Sequence, residues 1–409
     1  MSDSHCLSLS LPSARRGWFS VVALTLATFA VVTTEMLPVG LLTPVAAEFH
    51  VPQAHVSLML TIPALVAALC SPLIILFTGR LNRRWLLMLL MAFLMAANIC
   101  AATASHFSVL VAARIIVGIS IGGIWAIAGG IAARLVASRH TSLATSLIFA
   151  GVAAASVLGI PLGVILGEWV GWRGVFGIMG LFSLMVLLLM LSLPSLPPVQ
   201  APVVRDFLMQ LRRPAIRTGL LITLLLVTAH FMAFTFIRPV LQRDPQLQAH
   251  ELSGLLALYG IAGIAGIAGN FILGLLSGRH LFSAIFCITG GIALSLAGLL
   301  LLPAIPVFHI IILTLWGVVY GGVSVTLMNW MIRYSAQAIE ITGSLYIAFF
   351  NTGIAAGSAA GGMMVSVFSL QENIMAALAC SAMVLILVSG FVIRLYRTGR
   401  DRQTNLNQV

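Results

Sequence analysis

The stretch SVLVAARIIVGISIGGIWAIAGGIAARLV, residues 108–136, decides the fold class of this chain. It consists of small and aliphatic residues with one tryptophan and two arginines. As an α-helix it is long enough to cross a bilayer core of roughly 30 Å. Gly118 and Gly122 lie four residues apart, so a neighbouring helix can approach closely. Lipid offers no hydrophobic drive for helix association, and such close packing has to replace it. The stretch therefore predicts a membrane-spanning helix inside a bundle.

Eleven other apolar runs have a similar length. The 409 residues are 60% hydrophobic and 8% charged, with a mean hydropathy of +1.11, whereas soluble domains are about one quarter charged. A water-soluble protein is excluded, and we predict an all-α integral membrane protein with twelve transmembrane helices. These spans cover residues 19–43, 55–78, 86–104, 108–136, 142–168, 172–193, 218–241, 251–276, 281–303, 305–334, 340–367 and 371–395.

The basic residues follow the predicted topology. With both termini in the cytoplasm, 17 of the 21 basic residues fall in cytoplasmic segments, and only Arg173 and Arg243 lie on the opposite side. The positive-inside rule therefore predicts a multi-pass protein with both termini cytoplasmic. The net charge of +11 is then a consequence of topology, and no nucleic-acid partner is expected.

The chain divides into two related halves. A hydrophilic break at residues 194–217 predicts a cytoplasmic linker between bundles at 19–193 and 218–395, with tails at 1–18 and 396–409. Gly118 and Gly122 recur as Gly317 and Gly321, 199 positions later. This offset predicts two pseudo-symmetric six-helix bundles with a substrate site between them near the membrane midplane.

Glu35 is the one acidic residue well inside a predicted span. It lies about 24 Å along the helix from Phe19, in the outer half of the membrane, at the same depth as Arg114 and Arg238. A carboxylate in hydrocarbon is costly unless it is protonated, paired or hydrated. We expect Glu35, with Arg114 and Arg238, to couple proton entry to movement of the halves. A fixed structural ion pair and snorkelling to the outer interface are the alternatives.

Several polar and aromatic residues inside the spans are candidates for substrate contact. They provide hydrogen bonds and stacking surfaces, although each also suits helix packing. His230 additionally suits a proton relay. The predicted contacts are Asn351, Trp125, His230, Tyr320 and Tyr346.

Span 5 contains the sequence GIPLG, residues 159–163. Pro161 removes a backbone donor, while Gly159 and Gly163 thin the helix for a close neighbour. The pattern fits either a hinge or seal for alternating access or a simple kink.

Several motifs resemble the major facilitator superfamily over nearly the whole chain. The arginine of RIIVGISIGG in span 4 resembles one implicated there in proton transfer, and GIPLG is similar to an antiporter signature. The segments TTEMLPVGLLTPVAAEF (33–49), GWRGVF (171–176) and FIRPVL (236–241) resemble the twelve-span drug:proton antiporter branch, within it the sugar and purine ribonucleoside exporters. The resemblance implies proton antiport and efflux.

The segment GRLNRRW, residues 79–85, resembles the loop between spans 2 and 3 of that family. Arg80, Arg83 and Arg84 match its basic positions, whereas Gly79 and Asn82 stand where Asp and Gly are usual. The resemblance implies that this loop takes part in conformational change.

Together these observations predict a monomeric proton antiporter of a bacterial inner membrane that exports a sugar, nucleoside or drug. Proton-coupled uptake uses the same architecture and is the alternative. No cofactor or metal is expected: the chain has no lysine for a GxxxxGK[ST] loop, no HExxH pair and no CxxC pair. A membrane-embedded enzyme and a channel are disfavoured, because no second acid joins Glu35 within the spans and no filter loop is evident.

Overall fold

The structure is a computed structural model that describes residues 13–51, 58–197, 202–237, 265–302, 306–335 and 338–406. These residues form helices and connecting turns, and contain no strand. The helices, in chain order, are α1 (Ala14–Phe49), α2 (Leu58–Phe77), α3 (Arg83–Ala102), α4 (Phe107–Leu135), α5 (Thr141–Met190), α6 (Val204–Arg212), α7 (Pro214–Phe234), α8 (265–279), α9 (Leu281–Leu301), α10 (Pro306–Gly321), α11 (Val323–Tyr334), α12 (Ile339–Val367) and α13 (Leu370–Leu406).

Eight helical segments in the described ranges are long and apolar enough to cross a membrane, and a shorter apolar one covers Thr61–Phe77. Large hydrophobic side chains such as Leu69, Leu181 and Ile386 are exposed on the outside of the bundle. Apolar surface of this kind is stable against lipid. The predicted all-α membrane fold is confirmed.

Predicted spans 5 and 6 meet at a kink inside α5, and predicted span 10 contains a break of one residue. The range of α5 contains two helical stretches, which are separated at Gly171, where φ 70° and ψ 164° lie outside the helical region. A positive φ of this size is accessible to glycine at little cost, and the chain turns there between two spans. In span 10 the break is at Gly322, between α10 and α11. The dihedral angles of Gly322 stay in the right-handed helical region, and Val307–Tyr334 is one apolar segment long enough to cross a membrane.

The repeat in the sequence reappears in the helix contacts. A Cβ atom added at Gly122 of α4 would lie 2.8 Å from the carbonyl oxygen of Ala67 in α2. At Gly321 of α10 it would lie 1.9 Å from the carbonyl oxygen of Gly266 in α8. Both the glycines and their partners are 199 positions apart, so α2–α4 and α8–α10 are equivalent close crossings.

The segment before α6 lies against the loop between α2 and α3. The Asn82 side chain accepts hydrogen bonds from the backbone N–H groups of Arg84 and Leu196, each at 3.0 Å. The first bond caps the N-terminus of α3, and the second ties the linker to it. A Cβ at Gly79 would lie 2.4 Å from Cδ of Pro202. The end of the bundle that carries this loop is called the arginine-rich end below.

Candidate transport site

A cavity of about 140 Å³ lies between the two halves of the chain. Helices α1, α4 and α5 line it from the first half, and α7, α8, α10, α11 and α12 from the second. Most of the wall is aromatic or aliphatic, including Phe149, Phe231, Phe234 and Phe350. A mainly apolar wall with few polar groups is typical of a small-molecule site.

Glu35 of α1 is the one carboxylate among the described residues of the cavity wall. Its side chain is 6% exposed. The fully buried Arg114 donates from Nη1 to the Thr34 carbonyl at 2.9 Å, and its guanidinium lies 4.8 Å from the Phe176 ring centroid. Glu35 and Arg114 interact electrostatically, although within the described chain no ion pair of 4.0 Å or less joins them. Arg238 lies outside the described residues.

His230 of α7 is part of a packed group of rings. Its Nδ1 accepts a hydrogen bond of 3.0 Å from Trp316 Nε1. The imidazole stacks on Tyr320 with ring centroids 3.4 Å apart and on Phe234 with centroids 5.1 Å apart. His230 and Tyr320 both line the cavity, so two predicted contacts are brought together.

Trp125 of α4 lines the cavity from the opposite half. Its ring packs edge-on against Phe149 and Phe350, with centroids 6.4 and 5.6 Å away. Among the described residues its Nε1–H has no hydrogen-bond partner. A buried donor without a partner costs about 1–3 kcal/mol, which a bound acceptor would offset.

Asn351 and Tyr346 of α12 are buried beside the cavity and do not contribute to its described wall. The Asn351 amide donates to the Ile347 carbonyl one turn earlier at 3.0 Å. The Tyr346 hydroxyl donates to the Ser324 carbonyl at 3.2 Å and ties α12 to α11. In this state their contacts are within the protein.

The two halves meet in an ion pair at the arginine-rich end. Arg83, at the start of α3, is fully buried and donates from Nε to Glu340 Oε2 at 2.7 Å and from Nη2 to the same oxygen. Arg83 Nη1 also donates to the Thr78 carbonyl at 2.7 Å. Arg134 lies 3.7 Å from the other Glu340 oxygen. Burial lowers the pKa of Arg134, and the Glu340 charge partly opposes that shift.

Neutral hydrogen bonds join the halves between this ion pair and the cavity. The Ser71 hydroxyl of α2 donates to the Ser344 carbonyl of α12 at 3.0 Å. A second bond of this kind runs from the Asn270 amide of α8 to the Ser146 carbonyl of α5 at 2.7 Å. The cavity is therefore closed off at the arginine-rich end.

The other predicted conformational residues occupy two places. Arg80 is exposed, and Arg84 donates to the Leu191 carbonyl at the end of α5. Helix α5 continues through Pro161. It packs closely on α1, because added Cβ atoms at Gly159 and Gly163 would each lie 3.0 Å from α1 atoms.

Sequence comparison gives the family of the chain. A family model described as Major Facilitator Superfamily matches residues 24–343. The chain belongs to the major facilitator superfamily. Members of this superfamily are secondary transporters of solutes, so this is a membrane transporter and not an enzyme. The crystal structure of the human organic anion transporter MFSD10 (TETRAN) is similar, with a TM-score of 0.69 over 92% of this chain and 100% of that chain. At 20% sequence identity this likeness shows a shared fold.

Two residues of this superfamily member were missed by the sequence reasoning. Glu340 is at the start of predicted span 11, residues 340–367, on the same side of the membrane as Arg83 and Arg134, and this placement was a signal for pairing. The sequence did not indicate a role for Trp316, because a tryptophan in an apolar span is typical of a packed core. Its hydrogen bond to His230 depends on the crossing of α7 and α10.

Proposed function

We propose that this transporter exports small organic solutes from a bacterial cell across its inner membrane, in exchange for protons. The observation that carries the proposal is Glu35 in the wall of a cavity that both halves enclose. A transported solute has to contact both halves, because alternating access exposes the space between them to each side in turn.

Proton exchange follows from the cost of a buried carboxylate. An ionised Glu35 in a dry, mainly apolar cavity is expensive unless something compensates its charge. A proton does so by neutralising the carboxylate, and a cationic or hydrogen-bonding solute does so by pairing with it. If the halves rearrange only when Glu35 is compensated, proton and solute alternate on one group and move in opposite directions.

Arg114 stabilises the ionised form of Glu35 during this exchange. It is fully buried and held by the Thr34 carbonyl, next to Glu35 in the chain. Its field favours the ionised carboxylate, so release of the proton into the cavity leaves a stabilised anion rather than an isolated one. Arg114 thus acts on Glu35 without blocking it through a direct ion pair.

The cavity wall favours some of the predicted solute classes. A sugar presents many hydroxyl groups, and each one buried without a partner is costly. The described wall offers few polar side chains, among them Glu35, Ser156 and His230, and many aromatic rings. We therefore favour a drug-like compound with an aromatic ring over a sugar.

The distribution of arginines supports cytoplasmic termini and a cytoplasmic arginine-rich end. In that orientation the structure is closed towards the cytoplasm by Arg83 and Glu340. We expect the transporter to act as a monomer, since one chain supplies both halves of the cavity.

Everted membrane vesicles with a respiration-driven pH gradient test the proposal. Sugars, nucleosides and cationic or neutral drugs are added to vesicles with the wild type, Glu35→Gln or the exposed control Glu168→Gln. We expect one class to dissipate the gradient with the wild type and the control, and not with Glu35→Gln. Unchanged dissipation with Glu35→Gln would leave export standing and remove Glu35 as the coupling group. No response to any class would favour proton-coupled uptake, the alternative direction on the same fold.

A further inference from the structure

The hydrogen bond from Trp316 fixes the protonation pattern of His230. An indole N–H is a donor and has no acceptor atom, so His230 Nδ1 has to present a lone pair to it. In the neutral ring the proton is then on Nε2. An imidazolium ring would place an Nδ1–H group against the Trp316 N–H group. Charging His230 therefore requires the loss of this bond.

The ring has no room to turn away from Trp316. Tyr320 stacks on it at 3.4 Å with planes 9° apart, Phe234 stacks at 5.1 Å, and His230 is 3% exposed. The titratable groups of the described cavity wall are Glu35 on α1, Tyr320 on α10 and His230 itself. The described wall residues of α12, Phe350 and Ile354, do not titrate.

The fixed tautomer leaves one donor for the cavity. No described residue accepts a hydrogen bond from His230 Nε2, and His230 lines the cavity. Trp125 Nε1 on the opposite half is a second buried donor without a partner in the described chain. The only charge on the described wall is that of Glu35. A complementary solute therefore presents an acceptor to His230 and a cationic donor to Glu35.

The volume and walls of the cavity limit the rest of such a solute. At about 140 Å³ the cavity is close to the ~150 Å³ engineered cavities that bind benzene. Its aromatic walls suit a flat ring. The site as described thus fits one ring with short substituents.

We infer that His230 is a fixed, neutral hydrogen-bond donor that selects small aromatic amines with an acceptor on the ring, and that it does not carry the transported proton. This assignment rests on the proposed function of Glu35 as the proton site. It makes His230 a specificity-determining residue, held in place by Trp316 as a positioning residue.

Nitrogen NMR of the full chain in lipid nanodiscs tests the protonation pattern. The protein is labelled with ¹⁵N-histidine, and the His230 signals are assigned by their loss in His230→Phe. We expect the neutral Nε2–H tautomer at the ordinary histidine midpoint of about 6.5 as well as above it. In Trp316→Phe, which keeps a ring but lacks the N–H, His230 should titrate at a higher pH than in the wild type. A wild-type His230 that becomes doubly protonated near pH 6.5 overturns the inference.

Two probes of equal size test the selectivity. Benzylamine and 4-(aminomethyl)pyridine differ in one ring atom, and only the second has an acceptor on the ring. Calorimetry at pH 7.5 should show about fivefold tighter binding of the pyridine to the wild type, as expected for one net hydrogen bond of ~1 kcal/mol. His230→Phe should bind both probes equally. Equal binding by the wild type, an unchanged preference in His230→Phe, or failure of both probes to bind contradicts the assignment.

The same proteins separate this inference from the proposed function. If the probes bind with the expected preference but dissipate no pH gradient in vesicles, proton exchange fails and the His230 assignment stands. If the gradient responds through Glu35 while His230 charges near pH 6.5, proton exchange stands and the His230 assignment fails.

Discussion

Replacing Glu340 with glutamine tests how the halves are held together at the arginine-rich end. Arg83 is fully buried, so water cannot readily replace the lost carboxylate. Removing one partner of a buried, hydrogen-bonded charge pair costs about 2–5 kcal/mol. Glu340 is 19% exposed and glutamine keeps one acceptor oxygen, so we expect the lower end, about 2 kcal/mol. If the pair forms only in the state closed at this end, the open state becomes about 30-fold more populated.

The accessibility of position 344 reports this change. Ser344 is fully buried, one helical turn after Glu340, and its carbonyl accepts the Ser71 bond. The native cysteines are replaced, Ser344→Cys is introduced, and a membrane-impermeant maleimide is added on the arginine-rich side. Labelling should be about 30-fold faster in Glu340→Gln and unchanged in Glu168→Gln, which removes an exposed carboxylate. A rate within about twofold of the wild type would refute the reasoning that this pair holds the closed state.

Exchanging the two charges is a stricter version of the same test. Arg83 also donates to the Thr78 and Leu81 carbonyls at 2.7 and 3.2 Å. A carboxylate at position 83 would face these acceptors without a proton to donate. The double variant Arg83→Glu/Glu340→Arg should therefore label as fast as Glu340→Gln. Full restoration of slow labelling would mean that the charge pair alone matters.

Three other predictions concern packing, an unpaired donor and pH. Gly269→Ala should destabilise the protein by about 3 kcal/mol in thermal unfolding, because the new Cβ would lie 1.8 Å from a backbone oxygen of α10. The control Gly177→Ala, whose Cβ would have nothing within 4 Å, should be neutral. Trp125→Phe should leave stability unchanged or raise it by about 1 kcal/mol, because it removes an unpaired donor, yet weaken solute binding in calorimetry. Hydrogen bonds from Arg173 and Trp172 lower the pKa of Glu48 below its usual 4.5. These bonds therefore stabilise the folded protein above pH 4.5, and the stabilisation is lost as pH falls through the lowered pKa. The stability deficit of Arg173→Gln should shrink below pH 4.5 in melts; a constant deficit would contradict this.

The membrane fold was predictable because apolar runs of this length are stable only in contact with lipid. Residues 108–136 have no arrangement in water that hides them, and their glycines mark the helix contacts that the structure contains. The one-residue break at Gly322 was not predictable, because it occurs within a continuous apolar run. The domain boundaries and the linker at 194–217 stay predictions, although α6 lies within that range.

The part of the candidate site that the sequence predicts is its buried charged residue. Glu35 stood out as the one acid deep in a span, and it lines the cavity. Asn351 and Tyr346 are on a helix of the cavity wall, but composition does not tell which helix face turns inward. The pairing of Arg83 with Glu340 joins positions 257 residues apart, and such a contact depends on how the halves pack.

Accumulation against a concentration gradient tests proton coupling through Glu35 most directly. Purified transporter is placed in liposomes with the solute that the vesicle screen identifies, and accumulation driven by an imposed pH gradient is compared with solute exchange at equal pH. Glu35→Gln has a neutral side chain of nearly the same size, so it should still exchange solute. Exchange should need a higher solute concentration, because the amide no longer pairs with a cationic group. Accumulation should be lost. Accumulation by Glu35→Gln at the wild-type level would contradict the account, since the proton would then have to travel by a group other than Glu35.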